Sequence, residues 1–112
     1  MTETQFKTKV QRFLDEVGAW HVKFMGNQFT KAGVPDLLVC IRGQFWGIEL
    51  KTDVGRVSDL QRLQLGKIEK AGGRAIILRP RDFDRFRKEV TDWIHSATAG
   101  LSSGKNVASP GI

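Results

Sequence analysis

The chain has 112 residues, 40% of them hydrophobic, which suffices for one globular domain with its own core. No apolar run approaches the ~18 residues that a membrane span needs and no signal peptide opens the chain, so we expect a cytoplasmic protein without membrane contact. The formal net charge of +6 and the pI of about 9.9 favour a polyanionic partner, most simply nucleic acid. The single Cys40 excludes an internal disulfide, lies in an apolar run and is expected to be buried.

The first predicted element is an amphipathic helix over residues 3–17, ended by Gly18. Its apolar side chains recur at helical spacing: Phe6, Val10, Phe13, Leu14 and Val17. Glu3 lies one helical turn before Phe6, so we expect it on the apolar face, pointing inward, where an acid needs a partner. The alternative is an ordinary first-turn acid, which is favourable at a helix N-terminus.

Alternating apolar residues next predict strands. Residues 20–25 form the first strand, and 26–34 are polar, glycine-bounded and read as a loop. The bulky residues of this strand share one face: Trp20, Val22 and Phe24. His21 faces the other way and is expected to be a surface or packed histidine. Residues 36–42 and 44–52 then predict a hairpin with a tight turn at Gly43.

The second half predicts a helix, a strand and a helix. After a loop at 53–57, Ser58 and Gln61 match a capping box. The apolar positions of that helix are Leu60, Leu63, Leu65 and Ile68, and Gly72-Gly73 ends it. Residues 74–79 suit a buried strand, which Pro80 breaks. Asp82 can cap the last helix, whose apolar positions are Phe83, Phe86, Val90, Trp93 and Ile94.

The predicted order of elements is α-β-β-β-α-β-α, which gives an α/β or α+β class. A hairpin followed by a helical crossover predicts a mixed sheet with helices on both sides. Residues 1–96 form a single domain in this interpretation. Residues 97–112 are rich in Gly, Ser, Asn and Pro and are expected to be a disordered tail.

Two acids and a lysine are expected to converge at one end of the hairpin. Glu49 and Lys51 are two apart on a strand and project from the same face. Asp36 begins the partner strand and therefore lies beside them if the turn is at Gly43. Carboxylates of this kind suit Mg²⁺ or Mn²⁺, and the carbonyl of Leu50 could add a ligand. The alternative is an exposed strand carrying ordinary surface charges.

Gly33-Val34-Pro35-Asp36, then twelve residues, then Glu49-Leu50-Lys51 resembles the PD-(D/E)xK nuclease superfamily. More narrowly, the chain resembles the VRR-NUC branch and its stand-alone viral and phage members. The resemblance runs from Glu3 to about Phe86. It implies a restriction-endonuclease-like core, similar in fold to Holliday-junction resolvases, and a phage or bacterial host cell.

The resemblance also implies roles for single residues. Asp36 and Glu49 would bind the metal, Lys51 would be the catalytic lysine, and Glu3 would be the helix-borne acid of the site. Gln61 would be the glutamine that follows the lysine motif, although its capping role is equally open. Several such nucleases act as homodimers, so we expect a homodimer. The candidate nucleic-acid contacts are Lys23, Lys31, Arg56, Gln61 and Arg62.

The expected function is therefore a Mg²⁺- or Mn²⁺-dependent endonuclease that cleaves DNA, on junctions, flaps or other structured forms. Two other classes remain open. One is a non-catalytic nucleic-acid-binding module with a nuclease-like fold, which would bind DNA in a salt-sensitive way without cleaving it. The other is a small assembly protein with incidental charge, which would bind neither DNA nor metal.

Overall fold

A computed structural model describes residues 1–26 and 32–102. The elements are α1 (Glu3–Glu16), β1 (Trp20–Lys23), β2 (Leu37–Ile41), β3 (Gln44–Leu50), α2 (Asp59–Lys70), β4 (Arg74–Leu78) and α3 (Phe83–Ser102), with a 3₁₀ turn at Pro80–Asp82. The predicted order is confirmed. The helix α3 extends beyond residue 97, where we expected a tail, and residues 103–112 lie outside the described residues.

The four strands form one mixed sheet in the order β1-β2-β3-β4, with β1-β2 and β2-β3 antiparallel and β3-β4 parallel. Arg42 and Gly43 turn the hairpin with φ of 49° and 82°, as a two-residue turn with left-handed residues requires. This turn pairs Leu37 with Ile48. Continued by one residue, the same register sets Asp36 opposite Glu49, as the sequence predicts.

Helices cover both faces of the sheet, which confirms the predicted layers. On one face, Trp46, Ile48 and Leu50 of β3 belong to the core with the helices α1 and α3. That core consists of Phe6, Val10, Phe13, Leu14, Leu37, Val39, Ile41, Trp46, Ile48, Leu50, Leu78, Phe83, Phe86 and Val90. Residues of β3 on the opposite face meet α2. No helix of residues 1–26 and 32–102 is long and apolar enough to cross a membrane.

Three side chains are exposed at the β1 edge of the sheet, and the expectation that Cys40 is buried is wrong. Trp20 is 61% exposed, Val22 is 39% exposed, and Cys40 of the neighbouring strand is exposed too. The reason is layer coverage, because α2 packs over β4 and β3 and leaves this side of β1 and β2 open. His21, on the opposite face, is packed as expected and bonds to Asp15 of α1 at 2.6 Å.

The inward orientation expected for Glu3 is wrong, and the alternative, an ordinary first-turn acid, is what the structure shows. Glu3 is exposed, not inward, because the core begins at Phe6 and the first turn of α1 has no apolar layer over it. A carboxylate there keeps its hydration and the favourable end of the helix dipole. Leu60 and Leu63 are 52% and 50% exposed, since only the Leu65 and Ile68 side of α2 reaches the sheet.

The turn at Gly33 packs directly against the first turn of α2. Gly33 has φ of +83°, and a Cβ there would lie 2.5 Å from the carbonyl oxygen of Leu60 and 2.9 Å from the nitrogen of Gln61. Neighbouring Pro35 is buried against Gly47, where a Cβ would lie 3.2 Å from the proline ring. Because Gly33 and Gly47 have no side chains, the Gly-x-Pro-Asp segment packs closely against both α2 and β3.

We predict that Gly33→Ala lowers the free energy of unfolding more than Gly18→Ala does. Gly18 has a similar φ of +76° but no atom within 4 Å of an added Cβ. The Gly18 variant therefore measures left-handed strain alone, about 1–2 kcal/mol. The Gly33 variant adds a backbone clash worth roughly 1–3 kcal/mol. Urea denaturation compares them, and equal losses would contradict the close approach.

Candidate metal and nuclease site

Asp36, Glu49 and Lys51 come together at the end of β3, as the hairpin register predicts. The Lys51 Nζ lies 3.4 Å from Glu49 Oε2. Asp36 Oδ2 accepts a hydrogen bond of 2.9 Å from the backbone N–H of Leu50, the residue between them. This bond fixes the Asp36 carboxylate beside the strand that carries the other two side chains.

The Glu49 carboxylate is buried, with only 3% of the residue exposed. Its Oε2 accepts a hydrogen bond of 2.7 Å from Gln61 Nε2 and also faces Lys51. Its Oε1 is buried and has no hydrogen-bond partner among residues 1–26 and 32–102. Buried polar atoms are nearly always bonded, and an ion or a water would satisfy this oxygen.

Burial, and after it the negative charge of Asp36, raise the pKa of Glu49 from 4.5 to about 7. The charge and hydrogen bond of Lys51 oppose this rise but do not cancel it. A divalent cation would stabilise the ionised form of a buried carboxyl group that lies beside a second acid. Strongly perturbed carboxyl groups also cluster at functional sites.

Gln61 joins the start of α2 to this site. Its backbone N–H donates to Ser58 Oγ at 3.1 Å, and its Oε1 accepts from the Ser58 N–H at 2.8 Å. The remaining amide nitrogen donates to Glu49. The predicted capping role is therefore confirmed, and the capping box orients the amide that holds Glu49. The role that the resemblance implies for Gln61 stays a prediction.

Arg79 supports the segment after Lys51, and we did not predict it as part of the site. The guanidinium donates to the carbonyls of Thr52 and Gly55 at 2.6 and 2.8 Å. In addition, the Lys51 N–H donates to the carbonyl of Leu78 at 3.0 Å. The loop that follows the lysine is therefore tied to β4. A lone arginine after a strand carries no sequence signal for this role.

The donor set fits Mg²⁺ or Mn²⁺. Magnesium keeps several waters and is often held by one or two carboxylates, which Asp36 and Glu49 supply. Within residues 1–26 and 32–102, no three acidic, histidine or cysteine side chains form a group that could hold a metal. Exposed Glu3 thus does not complete a three-carboxylate cluster here. Its role, and that of the Leu50 carbonyl, stay predictions.

The predicted nucleic-acid contacts differ in their surroundings. Lys23, Arg56 and Arg62 are exposed, and none makes an ion pair with any described residue. Gln61 is directed at Glu49, as above. Lys31 lies outside the described residues. Three unpaired cations therefore remain available to phosphate.

Comparison of the chain with protein-family models, with curated proteins and with solved structures finds no match in any of the three. The assignment of a function therefore rests on the residues and the geometry of the site.

We predict that Glu49 makes the stability of the metal-free protein depend on pH. Because its folded pKa of about 7 exceeds 4.5, the folded state binds this proton more tightly. The contribution of this proton to the free energy of unfolding is fully present below the ordinary pKa of Glu49 and is lost as pH rises through about 7. The free energy of unfolding changes by about 3 kcal/mol over this range. Urea denaturation in EDTA across pH 5–8 measures it.

The matched controls are Glu49→Gln, which cannot ionise, and Glu69→Gln, an exposed acid on α2. Glu49→Gln should flatten this part of the profile, whereas Glu69→Gln should retain it. Parallel profiles for the parent and Glu49→Gln would show that Glu49 does not titrate in this range.

Proposed function

We propose that this chain is a divalent-metal-dependent endonuclease that hydrolyses phosphodiester bonds in DNA. We further propose that its sheet and helices are the restriction-endonuclease-like core of the PD-(D/E)xK nucleases, in the VRR-NUC branch. The proposal includes the cytoplasm of a phage-infected or bacterial cell as the place of action, as expected from the sequence.

One observation carries the proposal: a buried Glu49 with a raised pKa and an orphaned oxygen, between a lysine and a second acid. A buried polar atom left unsatisfied, such as Glu49 Oε1, costs about 1–3 kcal/mol, so a purely structural role would favour an apolar residue at this position. A cation-binding role supplies a reason for its presence. The adjacent lysine distinguishes this site from a simple structural metal site.

Asp36 and Glu49 would hold Mg²⁺ or Mn²⁺, which when bound lowers the pKa of a water and polarises a phosphoryl oxygen. Lys51 carries its charge next to these acids and would orient the attacking water or stabilise negative charge on the phosphorus. The Gln61 amide would keep Glu49 in one orientation by its bond to Oε2, while Oε1 of Glu49 binds the metal. Lys23, Arg56 and Arg62 would contact flanking phosphates.

Branched DNA, such as junctions or flaps, is the proposed substrate, and a homodimer is the proposed assembly. The open side of the sheet supports the dimer, because Trp20 and Val22 are exposed on β1, which is an edge strand of the sheet that the described residues form. A second copy could bury these side chains and pair the edge. Sedimentation velocity of the parent and Trp20→Ser tests this, and a monomeric parent at high concentration would exclude it.

We predict that Lys51→Ala and Glu49→Gln each lower the rate of DNA cleavage by at least about 10²-fold. The reason is that each removes charge stabilisation or metal binding at the reacting phosphate. Labelled four-way junction, flap and linear duplex are incubated with each protein in Mg²⁺ and in Mn²⁺. Product lengths on denaturing gels report the rate and the cut position.

Lys67→Ala serves as the matched control, since it removes an exposed lysine from the far end of α2. It should cleave like the parent. Cleavage by the Lys51 and Glu49 variants at the parent's rate would show that the site is wrongly assigned. Salt-sensitive DNA binding by the parent without cleavage in either metal would instead indicate the non-catalytic binding module.

A further inference from the structure

A second positively charged surface lies on the side of the molecule away from Glu49. It is a groove of about 240 Å³ between α1 and α3, lined by Lys9, Arg12, Phe13, Glu16, Phe83 and Arg87. We call it the basic groove. A neighbouring depression of about 430 Å³ continues it along α1, with Lys9 and Arg12 shared between the two. Since α1 and α3 cover the face of the sheet opposite α2, the sheet separates the basic groove from the candidate nuclease site.

The charges of the basic groove are poorly neutralised. Lys9 and Arg12 are exposed and form no ion pair with any residue in the described part of the chain. Arg87 is 3.9 Å from Asp84, at the outer limit of an ion pair, and that acid is itself 98% exposed. Three cations thus line the groove against one acid, Glu16.

Two of these cations contact the same aromatic ring. The Lys9 Nζ lies 4.7 Å from the centre of the Phe83 ring, and the Arg87 guanidinium lies 5.8 Å from the same ring. Arg87 is also 5.8 Å from the Phe13 ring. These cation–π contacts restrict both side chains to the lining of the basic groove. An anion bound in the groove would offset their positive charges.

The side chains that line the basic groove favour a nucleic-acid backbone over a lipid surface as its anionic ligand. Phe13 and Phe83 are only 8% and 6% exposed, so the groove offers charge without an apolar side chain for insertion into lipid. Lys9 and Arg12 are three residues apart on α1, so they project from the same side of the helix, where both can contact one phosphate backbone. Thr4 lines the adjoining depression with a hydroxyl group, a kind of group that often contacts phosphate.

We propose that the basic groove binds the phosphate backbone of a nucleic acid, as a contact surface separate from the candidate nuclease site. Binding here requires neither a metal nor Lys51. It is therefore independent of hydrolysis. If the chain is the proposed nuclease, the groove holds a segment of DNA other than the one being cut, such as a second arm of a branched substrate.

Binding of a short fluorescein-labelled DNA duplex, followed by fluorescence anisotropy in EDTA over a range of NaCl, tests the proposal. Lys9→Gln/Arg12→Gln should weaken binding by about tenfold near 0.1 M salt. The plot of log K against log salt should become shallower by about two units, one for each lost phosphate contact. Arg12→Gln alone, which leaves all three cation–π contacts intact, should give about half of the change in slope.

Lys67→Gln/Lys70→Gln is the matched control, because it removes the same charge from the last turn of α2. This variant should retain the parent's slope within about half a unit. Equal slopes for the groove and control variants would overturn the proposal, as would a parent that does not bind the duplex. Binding to phosphatidylserine vesicles but not to DNA would overturn it in favour of a lipid surface.

The cleavage assay separates this proposal from the proposed function. Groove-dependent binding by a parent that cleaves no DNA supports the basic groove and counts against the nuclease. Cleavage by the parent, together with unchanged DNA binding by the groove variants, refutes the basic groove alone.

Discussion

The site depends on keeping one carboxylate, that of Glu49, in a buried position at the end of β3. Burial and the nearby Asp36 charge disfavour ionisation of Glu49, whereas Lys51 stabilises the ionised form incompletely, so the pKa stays near 7. The Gln61 amide donates to one carboxylate oxygen, and the other oxygen has no partner in the described part of the chain. A divalent cation would supply the positive charge that Glu49 lacks. No other group among the described residues supplies it.

The turns, the strand pairing and the helix start around Glu49 hold its carboxylate in place. Gly33 lets the Gly-x-Pro-Asp turn lie against the first turn of α2, which in turn directs Gln61 towards β3. On the hairpin partner, the two-residue turn at Arg42-Gly43 sets the register that brings Asp36 alongside. The site therefore combines a local turn, a capping box and one antiparallel pairing. Each is a short-range feature with a recognisable sequence signature.

For that reason the sequence predicts the site better than it predicts the surface. Strand alternation and the hairpin turn place Asp36, Glu49 and Lys51 together, and the capping box places Gln61. Side-chain exposure at Glu3, Trp20 and Cys40 depends instead on which helix covers which part of the sheet, and periodicity carries no such information. Arg79 was missed for a similar reason, since its partners are distant backbone carbonyls.

Calorimetric titration of Mn²⁺ into the parent and into Glu49→Gln, in two buffers of different ionisation enthalpy at pH 6.5, tests the central claim most directly. Because a pKa of about 7 leaves Glu49 mostly protonated at that pH, metal binding to the parent should release most of one proton to the buffer. Glu49→Gln should lose both the binding and the proton release. Equal Mn²⁺ affinity in the two proteins, or binding without proton release, would contradict the assignment of Glu49 as a metal ligand.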